Sequence, residues 1–299
     1  MELAGDALSW PRTGTRPSML NKPLVSVVIP VFNGRSYLRE TVASVCSQTY
    51  GNIELILVDG GSDDDTLELL SSLEQTVSRI EYLGRDTPVT DTWTESCALA
   101  SGSYLKLLCQ DDILYPDALA DQVQFLMNFP SLGMVFSKRN IIDASGRVVG
   151  RAHGGISGSS RELSEAQALR FGYLAGSNVY GEPLAVMFRR DVLHACLPWD
   201  SSLPYLIDMS MYSKVMQEGP VGYLDRVVGA FRISSESWSV RLSSDQKNQF
   251  RDWQRQVESR VGRISSLDRF RAFVNVYRVA NARSLVYSWL RLRGKMRKR

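Results

Sequence analysis

Apolar residues follow two alternating rhythms along most of the chain. Leu24-Val25-Ser26-Val27-Val28-Ile29-Pro30 is a nearly unbroken apolar run, the pattern of a strand covered on both faces, and it ends on a proline that has no N–H for a sheet. Phe32-Asn33-Gly34 reads as a turn, and from Tyr37 to Thr49 the residues Leu38, Val42, Val45 and Cys46 recur at helical spacing. Residues 53–58 form a second strand. Asp63-Asp64-Asp65-Thr66 then caps a helix carrying Leu67, Leu70 and Leu73. Residues 80–83 read as a short strand, 92–100 as a helix closed by Ser101-Gly102, and 104–109 as a fourth strand. A helix over 116–129 opens with Pro116, where proline is tolerated. Strands over 134–136 and 147–149 flank a turn at Asp143-Ala144-Ser145-Gly146. Further strands follow at 184–189, 221–224 and 227–231, and a helix over 208–217 has Met211, Tyr212 and Val215 on one face. The stretch from His153 to Ser160 is rich in Gly and Ser and reads as a mobile loop over a site. After Ser243 the pattern is helical to the end.

The βαβαβ alternation of the first half implies a parallel, Rossmann-like sheet. Two of its strands run straight into carboxylates: Leu55-Ile56-Leu57-Val58 into Asp59, and Tyr104-Leu105-Lys106-Leu107-Leu108 toward Asp111 and Asp112. Open α/β sheets bind ligands at the carboxyl ends of their strands. Carboxylates gathered there repel one another unless a cation or a hydroxylated ligand lies between them. A hard divalent ion, Mg²⁺ or Mn²⁺, held by one or two carboxylates and completed by phosphate oxygens, meets that need. There is no GxGxxG fingerprint, no GxxxxGK[ST] phosphate loop, no Ser-His-Asp set and no internal repeat. The two histidines, His153 and His194, are far apart.

Composition narrows the class. The 299 residues suffice for one large α/β domain with or without an appendage, and 44% hydrophobic with 22% charged residues is ordinary for a folded soluble protein. The four cysteines lack CxxC spacing, which points to reduced thiols and a cytoplasmic location rather than disulfides or zinc. No apolar run reaches transmembrane length, and the N-terminus lacks the apolar core of a signal peptide. Residues 1–23, with Pro11, Pro17 and Pro23, read as a flexible leader. The net charge of +3 conceals an asymmetry. Ten Lys and Arg and no acid lie between Arg269 and Arg299, leaving 25 basic against 32 acidic residues elsewhere.

Taken in order, the segments 25–34, Asp59-Gly60-Gly61-Ser62-Asp63-Asp64-Asp65-Thr66 and Gln110-Asp111-Asp112 resemble the family 2 glycosyltransferases. The resemblance covers roughly residues 24–240. It implies a GT-A fold, a Rossmann-like mixed α/β sheet flanked by helices over 24–240, with 241–299 as a helical basic C-terminal extension. It implies an inverting enzyme of hexosyltransferase type that uses a nucleotide-sugar donor, most often a UDP-sugar, with Mg²⁺ or Mn²⁺. The acceptor would be a glycan or lipid-linked acceptor of bacterial surface polysaccharide or glycolipid synthesis. By the same resemblance Asp208 is the catalytic base. Pro30, Phe32, Asp59, Asp91, Asp111 and Arg232 contact the nucleotide sugar, and Asp112 is the metal ligand. Glu182 and Trp238 are acceptor or loop residues. The chain departs from the family pattern at Gly60, where a second aspartate is usual, at Gln110, at Thr94 and Ser96, at Ile207, and at Ser234 in place of a histidine.

The chemistry is self-consistent. Inverting transfer is one displacement at the anomeric carbon; its leaving diphosphate needs a cation and the acceptor hydroxyl needs a separate base. Each residue also has a plain structural reading. Asp111-Asp112 and Asp208 are well placed to cap helices, Asp63-Asp64-Asp65 favour a positive helix end, Arg232 could serve an ion pair, Trp238 the interior, and Glu182 the anchoring of a loop. Two rival functions stand beside transfer: a nucleotidyltransferase, which would be expected to carry a Gly-rich basic loop where Pro30-Val31-Phe32-Asn33-Gly34 stands, and a non-catalytic nucleotide-sugar-binding scaffold. In the C-terminal extension, Phe270, Phe273, Val274 and Tyr277 fall at i, i+3, i+4 and i+7, with Trp289 and Leu290 beyond. They fit a helix packed on the catalytic domain with a solvated basic face, or an interfacial helix that docks peripherally on an anionic membrane; the two are not exclusive. No motif accompanies the charge that would suit nucleic acid.

Overall fold

The computed structural model describes residues 22–295 except Asp86, Gly155, Ser157 and Glu236. The leader through residue 21, part of the 153–160 loop and the last basic residues Arg297, Lys298 and Arg299 lie outside the described residues. In chain order the elements are β1 Val25–Val31, α1 Leu38–Cys46, β2 Ile53–Asp59, α2 Thr66–Leu73, β3 Arg79–Tyr82, α3 Val89–Ala98, β4 Tyr104–Leu107, β5 Ile113–Leu114, α4 Ala118–Asn128, β6 Met134–Asp143, β7 Val148–His153, β8 Arg161–Leu163, α5 Glu165–Ala175, β9 Val186–Arg189, α6 Arg190–Cys196, α7 Ile207–Val215, β10 Val221–Ile233, α8 Trp238–Arg241, α9 Gln246–Val257 and α10 Ser266–Leu292.

One mixed sheet runs in the order β3-β2-β1-β4-β9-β6-β10-β5, with β7 on β6 and β8 on β10. β1, β2, β3 and β4 are mutually parallel, as the βαβ pattern predicts. β9 enters antiparallel between β4 and β6, which comes earlier in the chain. Pro30 does not end β1 but sits inside it. Val31 O accepts from Gly60 N on the β2 side, and Val28 O from Leu108 N on the β4 side. Pro30 alternates with Val31, so its edge without a donor lies on the β4 side, beyond Leu107 where β4 ends. The two short strands expected at 221–224 and 227–231 are one strand, β10, whose register shifts twice against β6.

The core lies on both faces of the sheet. A buried cation, Lys106 on β4, threads one face and donates to Gln122 Oε1 at 2.6 Å, Leu184 O at 2.6 Å and Val186 O at 2.9 Å. All three ammonium donors are used, which is what a charge in that place requires. Burial pulls the Lys106 ammonium well below its ordinary range.

The chain beyond 240 shares this core. Phe250, Trp253 and Val257 of α9, and Ala272 and Val276 of α10, belong to the same apolar cluster as β4, β6 and β9. Helix α10 packs on α5 and α9 with Ala272, Val276 and Ala280 buried, while Phe273 and Tyr277 stay partly exposed beneath Arg251 and Lys247 of α9. Gly176, left-handed at the end of α5, lies so close to Val276 that an added Cβ would fall 2.6 Å from its backbone nitrogen. A seam that tight admits small side chains, so Phe270, Phe273 and Tyr277 turn outward.

Candidate active site

The carboxyl ends of β1, β2 and β4 open into a cavity of about 530 Å³. Its lining includes Pro30 and Phe32 from β1 and its turn, Gly60 after β2, and Val89, Thr92 and Trp93 of α3. Gly60 is there because of Thr92: a Cβ at Gly60 would lie 2.7 Å from Thr92 Oγ1. The usual second aspartate cannot fit against that threonine. Gln110 fixes Phe32 in this lining. Its Oε1 accepts from Phe32 N at 2.9 Å and its Nε2 donates to Phe32 O at 2.7 Å, so the side chain grips both backbone groups of Phe32. An aspartate in its place has no donor for the second bond.

Asp111 lines the cavity and Asp112 lies beneath it, fully buried. Asp112 Oδ1 accepts from Arg232 N at 3.0 Å, while its Oδ2 is buried without a hydrogen-bond partner. Burial and the charge of adjacent Asp111 hold the Asp112 carboxyl well above the ordinary carboxylate range. Among the described residues no three His, Cys, Asp or Glu gather into a ready-made metal cage. One half-buried carboxylate on the cavity wall with an orphaned carboxylate oxygen behind it does fit a hard cation that keeps water and takes its other ligands from a diphosphate. Of the two, Asp111 lines the cavity and Asp112, expected as the metal ligand, lies behind it.

Arg232 does not reach the cavity. Its guanidinium donates to Asp111 O at 2.9 Å, pairs with Glu40 at 2.8 Å, reaches the carbonyls of Asp143 and Ala144 at 3.4 Å, and stacks over Tyr37. It is a buried strut under the Asp111 loop and, although expected to contact the donor, is not among the residues that line the cavity. The cavity's own cations are Arg35, paired with Asp65, and Arg241 at the end of α8. Neither was singled out in the sequence. Ser234, standing where a histidine was expected, receives no ligand-facing role: its N–H donates to Ser237 Oγ, and Ser237 in turn lies 3.4 Å from Asp111.

Asp59 is buried and also off the cavity wall. Its carboxylate accepts from Gly61 N, Ser62 N and Ser62 Oγ, which shapes the turn that brings Gly60 to the cavity. Asp91 is exposed on the first turn of α3 and does not line the cavity. Their neighbours Gly60 and Thr92 line it instead.

The opposite wall carries the second carboxylate. Asp208, in the first turn of α7, faces the cavity and accepts from Asn178 Nδ2 at 2.6 Å and Met209 N at 2.7 Å. Burial, reinforced by the charge of Glu182, pushes its pKa up to about 7. Glu182 is gripped by Arg139 through two bonds of 2.5 and 2.9 Å. Burial disfavours the Glu182 charge, but Arg139 outweighs it and the carboxyl titrates below its ordinary range. Asn178 and Arg139 are distant in sequence and carry no motif, so only the fold reveals them. Trp238 and Tyr205 complete this wall; Trp238 is 44% exposed with its indole N–H on Pro204 O at 2.9 Å. Arg283 reaches in from α10 to Tyr205 Oη at 2.5 Å and Gln246 Oε1 at 2.8 Å. None of the described residues of the 153–160 loop lines the cavity; Gly154 instead abuts Arg139 from behind.

A Rossmann-like mixed sheet with a carboxylate at its parallel edge and a second across the cavity is the architecture of the GT-A class. The chain belongs to glycosyl transferase family 2, whose family model matches residues 26–197, more than half of the chain. Among its relatives, an uncharacterized glycosyltransferase of Rickettsia felis is 26% identical over 77% of this chain and 37% of its own length. Chondroitin synthase of Escherichia coli is 24% identical over 77% of this chain and 32% of its own length. This chain thus spans about a third of each. The fold resembles S. aureus TarS 1–349 in complex with UDP-GlcNAc (TM-score 0.63, 15% identity, 85% of this chain and 71% of that one). It also resembles mannosyltransferase PcManGT from Pyrobaculum calidifontis in complex with GDP-Man and Mn²⁺ (TM-score 0.58, 15% identity, 91% and 81%).

Proposed function

We propose that the protein is a metal-dependent, inverting glycosyltransferase. It moves a hexosyl group from a nucleoside diphosphate sugar, a UDP-sugar first among them, to a hydroxyl of a glycan or lipid-linked acceptor in bacterial surface polysaccharide or glycolipid synthesis. The observation that carries the reading is Asp208: a carboxylate across the cavity from Asp111, held by Asn178 and titrating near neutrality. The family membership and the nucleotide-sugar complexes of TarS and PcManGT support it.

The roles follow from position. The lining at Pro30, Phe32, Gly60 and Trp93 suits a planar base. Asp111, with Asp112 behind it, would hold Mg²⁺ or Mn²⁺, which when bound neutralises charge on the leaving diphosphate. Arg241 and Arg35 supply the remaining positive charge on the cavity wall. Asp208 takes the proton of the acceptor hydroxyl as that oxygen attacks the anomeric carbon from the face opposite the leaving group. Trp238 and Tyr205 offer aromatic faces to a sugar ring beside Glu182. Peripheral contact with the cytoplasmic face of a membrane belongs to the same reading, since a lipid-linked acceptor resides there.

The test is calorimetry of UDP-, GDP-, dTDP- and CMP-sugars with and without Mn²⁺, on the native chain and on Asp208→Asn. Mn²⁺-dependent binding of one donor, kept by the variant while transfer collapses, is the expected result. Binding of no donor by folded protein, or undiminished transfer by Asp208→Asn, refutes the reading.

A further inference from the structure

Helix α10 has two apolar faces. Ala272, Val276, Ala280, Tyr287 and Leu290 are buried against the domain. On the opposite side, at 100° per residue, Leu267, Phe270, Tyr277, Leu285 and Leu292 project into solvent, with exposures of 56, 64, 40, 72 and 88%. A stripe of that kind, about 40 Å long on a helix of 27 residues, is more than scattered surface apolarity. Its surroundings are cationic. Lys247 and Arg251 of α9 lie over the rings of Tyr277 and Phe273 at 5.5 and 4.9 Å, Arg271 and Arg278 flank it, and Arg293 and Lys295 lie over Trp289. The only acid in α10, Asp268, is turned to Arg170 at 2.8 Å.

We propose that this outer face of α10 is a docking surface for an anionic lipid bilayer. Apolar side chains framed by arginine and lysine are what an interface of acyl chains and anionic headgroups recognises. A second copy of the chain is disfavoured as occupant, because pairing the stripe with itself would bring the two cationic borders together. The helix lies in the interface plane, since its inner face is committed to the domain and no helix among the described residues is long and apolar enough to cross a membrane. Arg283, on the inner side of α10, holds Tyr205 of the cavity wall. Tyr205 of the cavity wall therefore lies against the inner side of the helix, about one helix diameter, roughly 10 Å, from its outer face. Docking stands without the transferase reading; only its use, presenting a lipid-linked acceptor, rests on it.

The experiment is co-sedimentation of the full chain with vesicles of phosphatidylcholine alone or mixed with phosphatidylglycerol, at low and high salt, with light scattering of the free protein. Expected is salt-sensitive pelleting with the anionic vesicles only. Phe270→Ser with Leu285→Ser should lower the partition at least tenfold, and Arg271→Gln with Arg278→Gln roughly fivefold for each cation. These side chains are exposed, and circular dichroism should show the fold unchanged. No pelleting, pelleting indifferent to both variant pairs, or a dimer that Leu285→Ser dissociates would each overturn the proposal. None of these readouts needs turnover, so failure here leaves the transferase reading standing, and failure of transfer leaves this one.

Discussion

Asp208 is kept where its charge is costly, and that cost has measurable consequences. As a base it works only when ionised, so transfer should rise with pH through about 7 and level off above it. Asn178→Ala removes a hydrogen bond to the charged form and should move that limb to higher pH, with donor affinity unchanged. Asp208→Asn should lower kcat roughly 10²–10⁴-fold. Stability should move the other way. The folded carboxyl holds its proton up to about 7 while the unfolded one releases it near 4, so the native state is penalised as pH rises through that window and stays so above it. The variant should gain up to about 4 kcal/mol over the native chain at pH 8, fading toward pH 4, as thermal melts would reveal. At the parallel edge, Asp111→Asn should abolish the Mn²⁺-dependent part of donor binding seen by calorimetry. The sequence made this loop visible but not its facing. Asp111 and Asp112 are neighbours with the same chemistry, and which one points at the cavity depends on Arg232, whose backbone arrives from 120 positions away.

At the scale of elements, the parallel half was legible because its strands are buried on both faces and read as apolar runs. The turn at Asp143-to-Gly146 and the helix opened by Asp63-Asp64-Asp65-Thr66 followed from local rules, whereas Pro30, expected to end β1, lies inside it. Helix α5 was not read, although Ser164 and Gln167 form a complete capping box and Gly176 ends it, both visible in the sequence. β9 was read within two residues, but the long β10 was split in two, because its length and bulged register are set by β6 across the sheet, not by its own pattern. The same tertiary origin explains Gly60. Its fit against Thr92 predicts that Gly60→Ala raises the donor KM and that adding Thr92→Ala restores it, which steady-state kinetics of the two variants would decide.

For the whole molecule, the sequence suggested a catalytic domain with an appendage, and the packing joins them. Trp253 of α9 is fully buried, with its N–H on Ser213 Oγ at 2.9 Å, inside the cluster that supports β4 and β6. Trp253→Ala should cost about 3–5 kcal/mol in urea unfolding, as much as a core residue of the sheet itself. Periodicity located α10 but left open which way its aromatic stripe faces; the tight seam at Gly176 turns the small side chains inward and leaves the larger ones outside.

The insertion of β9 between β4 and β6 also sets an order in time. On the ribosome β4 is complete about 80 residues before β9 appears, an interval of roughly 4–16 s at ordinary elongation rates. Through that interval β4 is the bare margin of a four-stranded parallel sheet, the kind of margin that recruits foreign strands. Lys106 sits in the middle of it, an ammonium whose acceptors Leu184 O and Val186 O have not yet been synthesised. A hydrated ammonium on such a margin disfavours pairing with foreign strands; in the folded chain the same group is bonded to the carbonyls of Leu184 and Val186 at the start of β9.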